Sequence, residues 1–212
     1  MNLFLCYALC AVWGYLLGCL NPAHLLARRK GFDIRERGSK GSGASNALIT
    51  MGWRAGVLVA VADMGKALCA VLLARRLFPA LPMAAAVAGA ACVLGHIFPF
   101  YLHFRGGKGF APFLGVVLAL DWKFWLVILC AILLITWLTD YIVLGTLTTV
   151  VAFPLWSIAM GRFWVAAILS VVSAVMIAKH MVNLRRICAG TEIGLRKARK
   201  ADAPRETPYS PK

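Results

Sequence analysis

Two stretches, WKFWLVILCAILLITWL at residues 122–138 and IVLGTLTTVVAFPLWSI at 142–158, decide how the whole chain is read. Apart from Lys123 they carry no charge. About 20 apolar residues cross a hydrocarbon core roughly 30 Å thick, and somewhat fewer suffice where the bilayer adapts. Similar runs lie on both sides. Residues 3–26 form the first, with Asn21-Pro22 as a break near its end, followed by 55–74, 83–99, the short 110–120, and 163–178. The composition agrees, for the 212 residues are 61% hydrophobic and only 15% charged, with a mean hydropathy of +0.79. A soluble domain is about a quarter charged, so much of this surface must face lipid. The expected fold is all-α: a polytopic integral membrane bundle of about seven transmembrane helices. It forms a single transmembrane domain over residues 1–200, followed by a Pro-rich polar tail, 201–212, expected to be disordered.

The basic residues set the expected orientation. With the N-terminus outside, the first loop, the third loop and the segment after the last span fall inside. Of the 23 Lys and Arg, only Arg75, Arg76, Lys123 and Arg162 then fall outside, and Lys66 lies within a span. Lys and Arg collect in cytoplasmic loops, which favours N-out, C-in. An odd number of spans is needed to put the tail on the same side. Residues 16–19, LLGC, look like a lipoprotein cleavage site. No Lys or Arg precedes Arg28, however, and a signal peptide wants a positive start, so this run is read as a retained span.

A net charge of +15 would point to nucleic acid in a soluble protein. In a membrane protein it reports topology, anionic headgroups and attraction for phosphorylated solutes, and no nucleic-acid partner is expected. The seven cysteines form no CxxC or Cys/His cluster, so neither a metal nor a disulfide framework is expected. They read as small hydrophobes at helix interfaces.

Three polar segments fall inside on this topology. FDIRERGSKGSGASNALITMGWRAG, residues 32–56, is rich in Gly, Ser and Asn, a composition that can turn backbone N–H groups toward an anion. Most Gly/Ser loops are only flexible connectors, and this one is no Walker A loop. GHIFPFYLHFRGGKGF, residues 95–110, places Lys108 between glycines, with Arg105 three residues earlier and His96 near its start. In KHMVNLRRICAGTE, residues 179–192, His180 and Asn183 are three apart and share a helix face. Asp63 and Lys66, also three apart but inside a span, read as a supporting ion pair, because intramembrane charges are costly and usually pair. No Ser–His–Asp set emerges from spacing. The His-x-x-x-x-Asp pattern is absent too, for Tyr101, Lys108 and Arg185 stand five positions after His96, His103 and His180. Cations and backbone donors suit oxyanion and phosphate stabilisation more than proton transfer.

In order and spacing these segments resemble the bacterial acyl-phosphate:glycerol-3-phosphate acyltransferases, the PlsY family. The likeness runs from GYLLGCLNPAHLL and FDIRERGS through DMGK to GHIFPFYLHFRGGKGF, and ends on His180, Asn183, Gly190 and Glu192. The resemblance implies transfer of an acyl chain from acyl phosphate to the 1-hydroxyl of glycerol 3-phosphate, giving lysophosphatidic acid for phospholipid synthesis without a cofactor. Substrates and membrane lipids would then be the partners, and the membrane would be a bacterial inner one with the active site facing the cytoplasm. Carried over by position, Ser39, Lys108, His180 and Asn183 are the expected catalytic residues. Lys40, Gly43, Ser45, Asn46, Arg54, His96, Arg105, Gly106, Gly107, Gly109 and Glu192 are the expected substrate-binding ones. The first motif departs from the family form, close to G-S-G-N-I-G-A-T-N-V-L-R. Here residues 38–49 read GSKGSGASNALI, so Ile49 stands where the family has arginine. Lys40 or Arg54 would then supply the missing charge, or the donor or acceptor would differ. A transporter or channel for a phosphorylated solute is the reading from another class, but it would need a polar path through spans whose outer halves are nearly all apolar. A non-catalytic lipid-binding scaffold is the fourth reading.

Overall fold

The computed structural model describes residues 2–196; the tail 201–212 lies outside them. The described chain is helical: α1 (Leu3–Cys19), α2 (Pro22–Arg29), α3 (Ala44–Met51), α4 (Trp53–Leu77), α5 (Ala84–Ile97), α6 (Phe110–Leu120), α7 (Trp122–Thr139), α8 (Ile142–Ala159) and α9 (Phe163–Cys188). Six stretches are long and apolar enough to cross a bilayer: Leu3–Arg29, Trp53–Leu77, Ala84–Leu102, Trp122–Thr139, Ile142–Ala159 and Phe163–Cys188. The seventh run, α6, has 11 residues, about 16 Å of helix at ~1.5 Å per residue, and is shorter than a full span. Phe113, Val116 and Val117 bury it in the bundle core with Val71, Val93 and Phe153.

The first span breaks where the sequence placed Asn21-Pro22. The Asn21 side chain accepts from the His24 N–H at 2.9 Å and Pro22 opens α2. A proline at the first helical position loses no hydrogen bond. The 32–56 segment differs from a plain loop, for it holds a 3-10 turn at Ile34–Glu36 and the whole of α3. The signal for α3 was modest: eight residues, ASNALITM, framed by Gly43 and Gly52.

Lipid-facing surface is apolar, with Phe4, Val61, Val127, Leu133 and Val171 all exposed. Exposed Trp53 and Trp137 stand at one end of the bundle, Trp122 and Trp164 at the other, as interfacial aromatic belts do. Cys6, Cys10, Cys19 and Cys92 are buried between helices, whereas Cys69, Cys130 and Cys188 are exposed.

Helices α1 and α5 meet backbone to backbone. A Cβ on Gly14 would collide with the Ala88 carbonyl oxygen, one on Gly18 with that of Cys92, and one on Gly95 with that of Tyr15. The G-x-x-x-G spacing of Gly14 and Gly18 permits this approach. At the end formed by the α6–α7 and α8–α9 corners, Asp121 caps α7 through the Phe124 N–H at 3.0 Å. It also accepts from Trp156 Nε1 at 3.0 Å and from Arg162 at 2.8 Å. Burial alone would raise the Asp121 pKa, but these three donors outweigh it and hold the carboxyl below its usual range.

Candidate functional site

At the other end, where α3, α4, α6, α8 and α9 converge, lies a cavity of about 580 Å³. One wall comes from the first polar segment, with Ser39, Gly43, Ser45 and Asn46. The second segment gives Gly107, Lys108 and Gly109, and the third gives His180, Asn183 and Glu192. Asp63 and His96 also border it. The remaining wall, including Leu48, Val57, Ala60, Phe110, Leu114 and Val143, is apolar. The three segments singled out in the sequence therefore meet in one place.

Lys108 is half-buried, and its Nζ donates to Asn183 Oδ1 while Asn183 Nδ2 donates to Glu192 Oε1. The chain of contacts fixes the amide: its oxygen meets the ammonium and its nitrogen the carboxylate. Burial pushes the Lys108 pKa below the usual lysine range; Glu192 opposes the shift, and Arg186 adds to it. His180 is buried, with Nδ1 2.7 Å from the Met176 carbonyl oxygen. A carbonyl only accepts, so Nδ1 carries the proton and the neutral ring keeps a lone pair on Nε2.

Two helix N-termini point into the same space. Neither α3, entered through Gly43, nor α6, entered through Gly109 at φ 90°, has a side-chain cap. Their first N–H groups and dipoles form a ready anion site. Asn46 builds the first of these turns. Its Oδ1 accepts from the Ser39 N–H at 2.7 Å, and its Nδ2 faces the carbonyls of Gly41 at 2.7 Å, Ile34 at 2.8 Å and Arg37 at 3.0 Å. Its polar atoms are thus spent on the loop, a shaping task rather than a ligand contact. Arg35 ties this loop to the second segment, pairing with Asp33 at 2.6 Å and donating to the Leu102 carbonyl at 2.9 Å. The Arg35 hydrogen bond lowers the Asp33 pKa to about 2.

The structure does not bring every expected residue to the cavity wall. Lys40 is exposed, and the Arg54 guanidinium lies 5.7 Å from the Trp53 ring centre. Arg105 and Gly106 lie away from the lining, in the turn that leads to Lys108. Arg186, by contrast, lines the cavity and was missed as a site residue. Its signal was there: it stands three residues after Asn183, on the same helix face. Ile49 lines the cavity too. After α9 the chain returns over the α7–α8 turn, where the Leu195 and Arg196 N–H groups donate to Asp140 at 3.0 and 2.8 Å.

A family model described as glycerol-3-phosphate acyltransferase matches residues 8–190. A glycerol-3-phosphate acyltransferase of Oceanobacillus iheyensis is 32% identical over 199 residues, covering 89% of this chain and 95% of the relative. One from Geobacter sulfurreducens is 39% identical over 179 residues, covering 84% and 92%. The crystal structure of PlsY (YgiH), an integral membrane glycerol 3-phosphate acyltransferase, in its glycerol 3-phosphate form superposes with a TM-score of 0.84. That pair is 31% identical, with 89% of this chain and 95% of the other covered. The lysophosphatidic acid form gives 0.81 at 30% identity, covering 90% and 96%.

Proposed function

The chain belongs to the glycerol-3-phosphate acyltransferase family, and on that premise we propose that its cavity transfers an acyl group from an acyl phosphate to the 1-hydroxyl of glycerol 3-phosphate. The observation that carries this reading is the two-sided lining. Lys108, Arg186 and two helix N-termini face an anion on one side, and an apolar wall suits an acyl chain on the other. The hydroxyl oxygen attacks the acyl carbonyl carbon, the C–O bond to phosphorus breaks, and the phosphate leaves with the bonding pair. Lys108 and the N–H groups stabilise the charge on that leaving phosphate. The hydroxyl proton passes to the acceptor's own phosphate, whose second pKa near 6 suits the task. His180 Nε2 orients the acceptor by accepting a hydrogen bond from its 2-hydroxyl, which leaves the 1-hydroxyl proton to the phosphate.

Basic residues concentrate at the cavity end of the bundle, which supports a cavity that faces the cytoplasm, and the bacterial relatives support an inner membrane. The transporter reading has less support. The apolar core of Val71, Val93, Phe113, Val116 and Phe153 fills the bundle behind the cavity.

The test is turnover by purified protein in detergent with palmitoyl phosphate and glycerol 3-phosphate, following phosphate release and lysophosphatidate. A rate no higher than that of Lys108→Ala would remove the reading, and turnover with palmitoyl-CoA alone would replace the donor.

Arg186 supplies the second cation that Ile49 does not, since none of the ion pairs among the described residues occupies it. Arg186→Ala should raise the KM for glycerol 3-phosphate about 10-fold, the loss of one charge-assisted hydrogen bond. Ile49→Arg in that background should recover part of it.

The depressed Lys108 pKa predicts the pH profile. The alkaline fall of kcat/KM, which reports the free enzyme, should come below the usual lysine range, where the ammonium loses its proton. Bound phosphate favours the charged form, so the matching fall in kcat should come at higher pH. Profiles of both parameters over the alkaline range check the order of the two limbs.

A further inference from the structure

Asp63 and Lys66 form an ion pair at 2.6 Å with side chains 1% and 6% exposed, so the supporting pair read from the sequence is present. It has a third member. His96, on α5, brings Nδ1 to 3.0 Å from Lys66 Nζ and 3.2 Å from Asp63 Oδ1. Burying such a cluster rarely stabilises a fold more than apolar packing would, so its connections are the better guide to its use.

Those connections run to both phosphate-facing loops. The His96 carbonyl accepts from the Gly107 N–H at 3.1 Å and the Ile97 carbonyl from the Gly106 N–H at 3.0 Å. A Cβ on Gly107 would strike His96 Nε2, and one on Gly106 the His96 carbonyl. The imidazole and its backbone therefore hold the residues just before Lys108 on two sides, and the glycines are what let them. On the other flank, Lys66 Nζ donates to the Leu20 carbonyl at 2.5 Å, at the break between α1 and α2. The next residue, Asn21, donates through Nδ2 to Ser42 Oγ at 2.8 Å and to the Ser42 carbonyl at 3.2 Å. Ser42 precedes Gly43, the entry to α3.

We infer that Asp63, Lys66 and His96 are positioning residues that fix the Gly106–Lys108 turn against the Ser42–Gly43 turn, so that Lys108 and the α3 N-terminus address one phosphate. The inference rests on the reading of Lys108 given above. Asp63 holds the Lys66 ammonium and the His96 ring in register, and neutralising it frees both. A displacement of about 1 Å in such a group can lower turnover about 100-fold.

The experiment compares full-length wild type, Asp63→Asn, Lys108→Ala and the double variant in detergent, with activity corrected for the folded fraction from thermal melting. Asp63→Asn should lose about 100-fold in kcat/KM, and the double variant should be no slower than Lys108→Ala alone. Additive losses, or a corrected Asp63→Asn rate equal to wild type, would overturn the positioning role. A Lys108→Ala protein as active as wild type would instead overturn the reading beneath it, and the inference with it. Should Asp63→Asn fail to fold, a second cycle decides. Gly107→Ala should be nearly inactive in the wild-type background, yet lose much less in His96→Asn, whose shorter side chain leaves the Nε2 position empty. An equal Gly107→Ala loss in both backgrounds would overturn the inference.

Discussion

Lys108→Ala should lower kcat/KM for glycerol 3-phosphate by about 1,000-fold while leaving the thermal melting temperature in detergent within a few degrees of wild type. Removing one preorganised donor from a developing oxyanion costs on the order of 100- to 1,000-fold, and Lys108 brings a full charge at a half-buried position. Its removal also leaves Asn183 Oδ1 without its donor, although Nδ2 still holds Glu192. The fold should survive, because the alanine relieves a desolvated ammonium. Steady-state kinetics beside a melting curve checks both halves, and a loss under 10-fold in folded protein would contradict the assignment.

The second large effect concerns stability. Gly18→Leu should destabilise the bundle by about 3 kcal/mol or more, because the new side chain meets the Cys92 backbone and not a side chain that can swing away. Overpacking a well-packed interior usually costs about 1–3 kcal/mol, and here the obstacle is a helix that also carries Gly95 and His96. Gly65→Leu is the control, since a Cβ there meets nothing within 4 Å. Denaturation of the two variants in mixed micelles, with size exclusion to count folded material, should separate them clearly.

What the sequence yielded depended on the range of the interaction. The apolar runs were legible because a bilayer imposes a length and a polarity on each one; even the boundaries of α6 followed from residues 110–120. The meeting of Ser39, Lys108 and His180 at one cavity followed from topology, because loops on one side of a bundle have little room to be apart. Less was visible where a side chain's job is set by its neighbours in space. Asn46 looks like a binding residue in a Gly/Ser loop, yet four backbone groups occupy it. His96 sits beside a glycine-rich turn in the sequence, but its link to Asp63 spans two helices and no local pattern announces it. Lys40 and Arg54 carried the right charge on the wrong face. Arg186 stood beside Arg185, and its three-residue spacing from Asn183 was the one local sign that told the two apart.

The brevity of α6 has a wider consequence. Its neighbours α7 and α8 have 18 residues each, about 27 Å of rise, so a helix of ~16 Å ends well short of them. Measured from the corner at Asp121 that α6 and α7 share, the Lys108 turn stops about 11 Å short of the far end of α7. On the proposed reaction, an amphiphilic donor would reach such a turn without being lifted out of the leaflet, while a water-borne polyol phosphate would descend only a short way. Turnover there should respond to how densely the donor populates the two-dimensional phase, and diluting that phase with inert lipid should slow it even when the total amount of donor is unchanged.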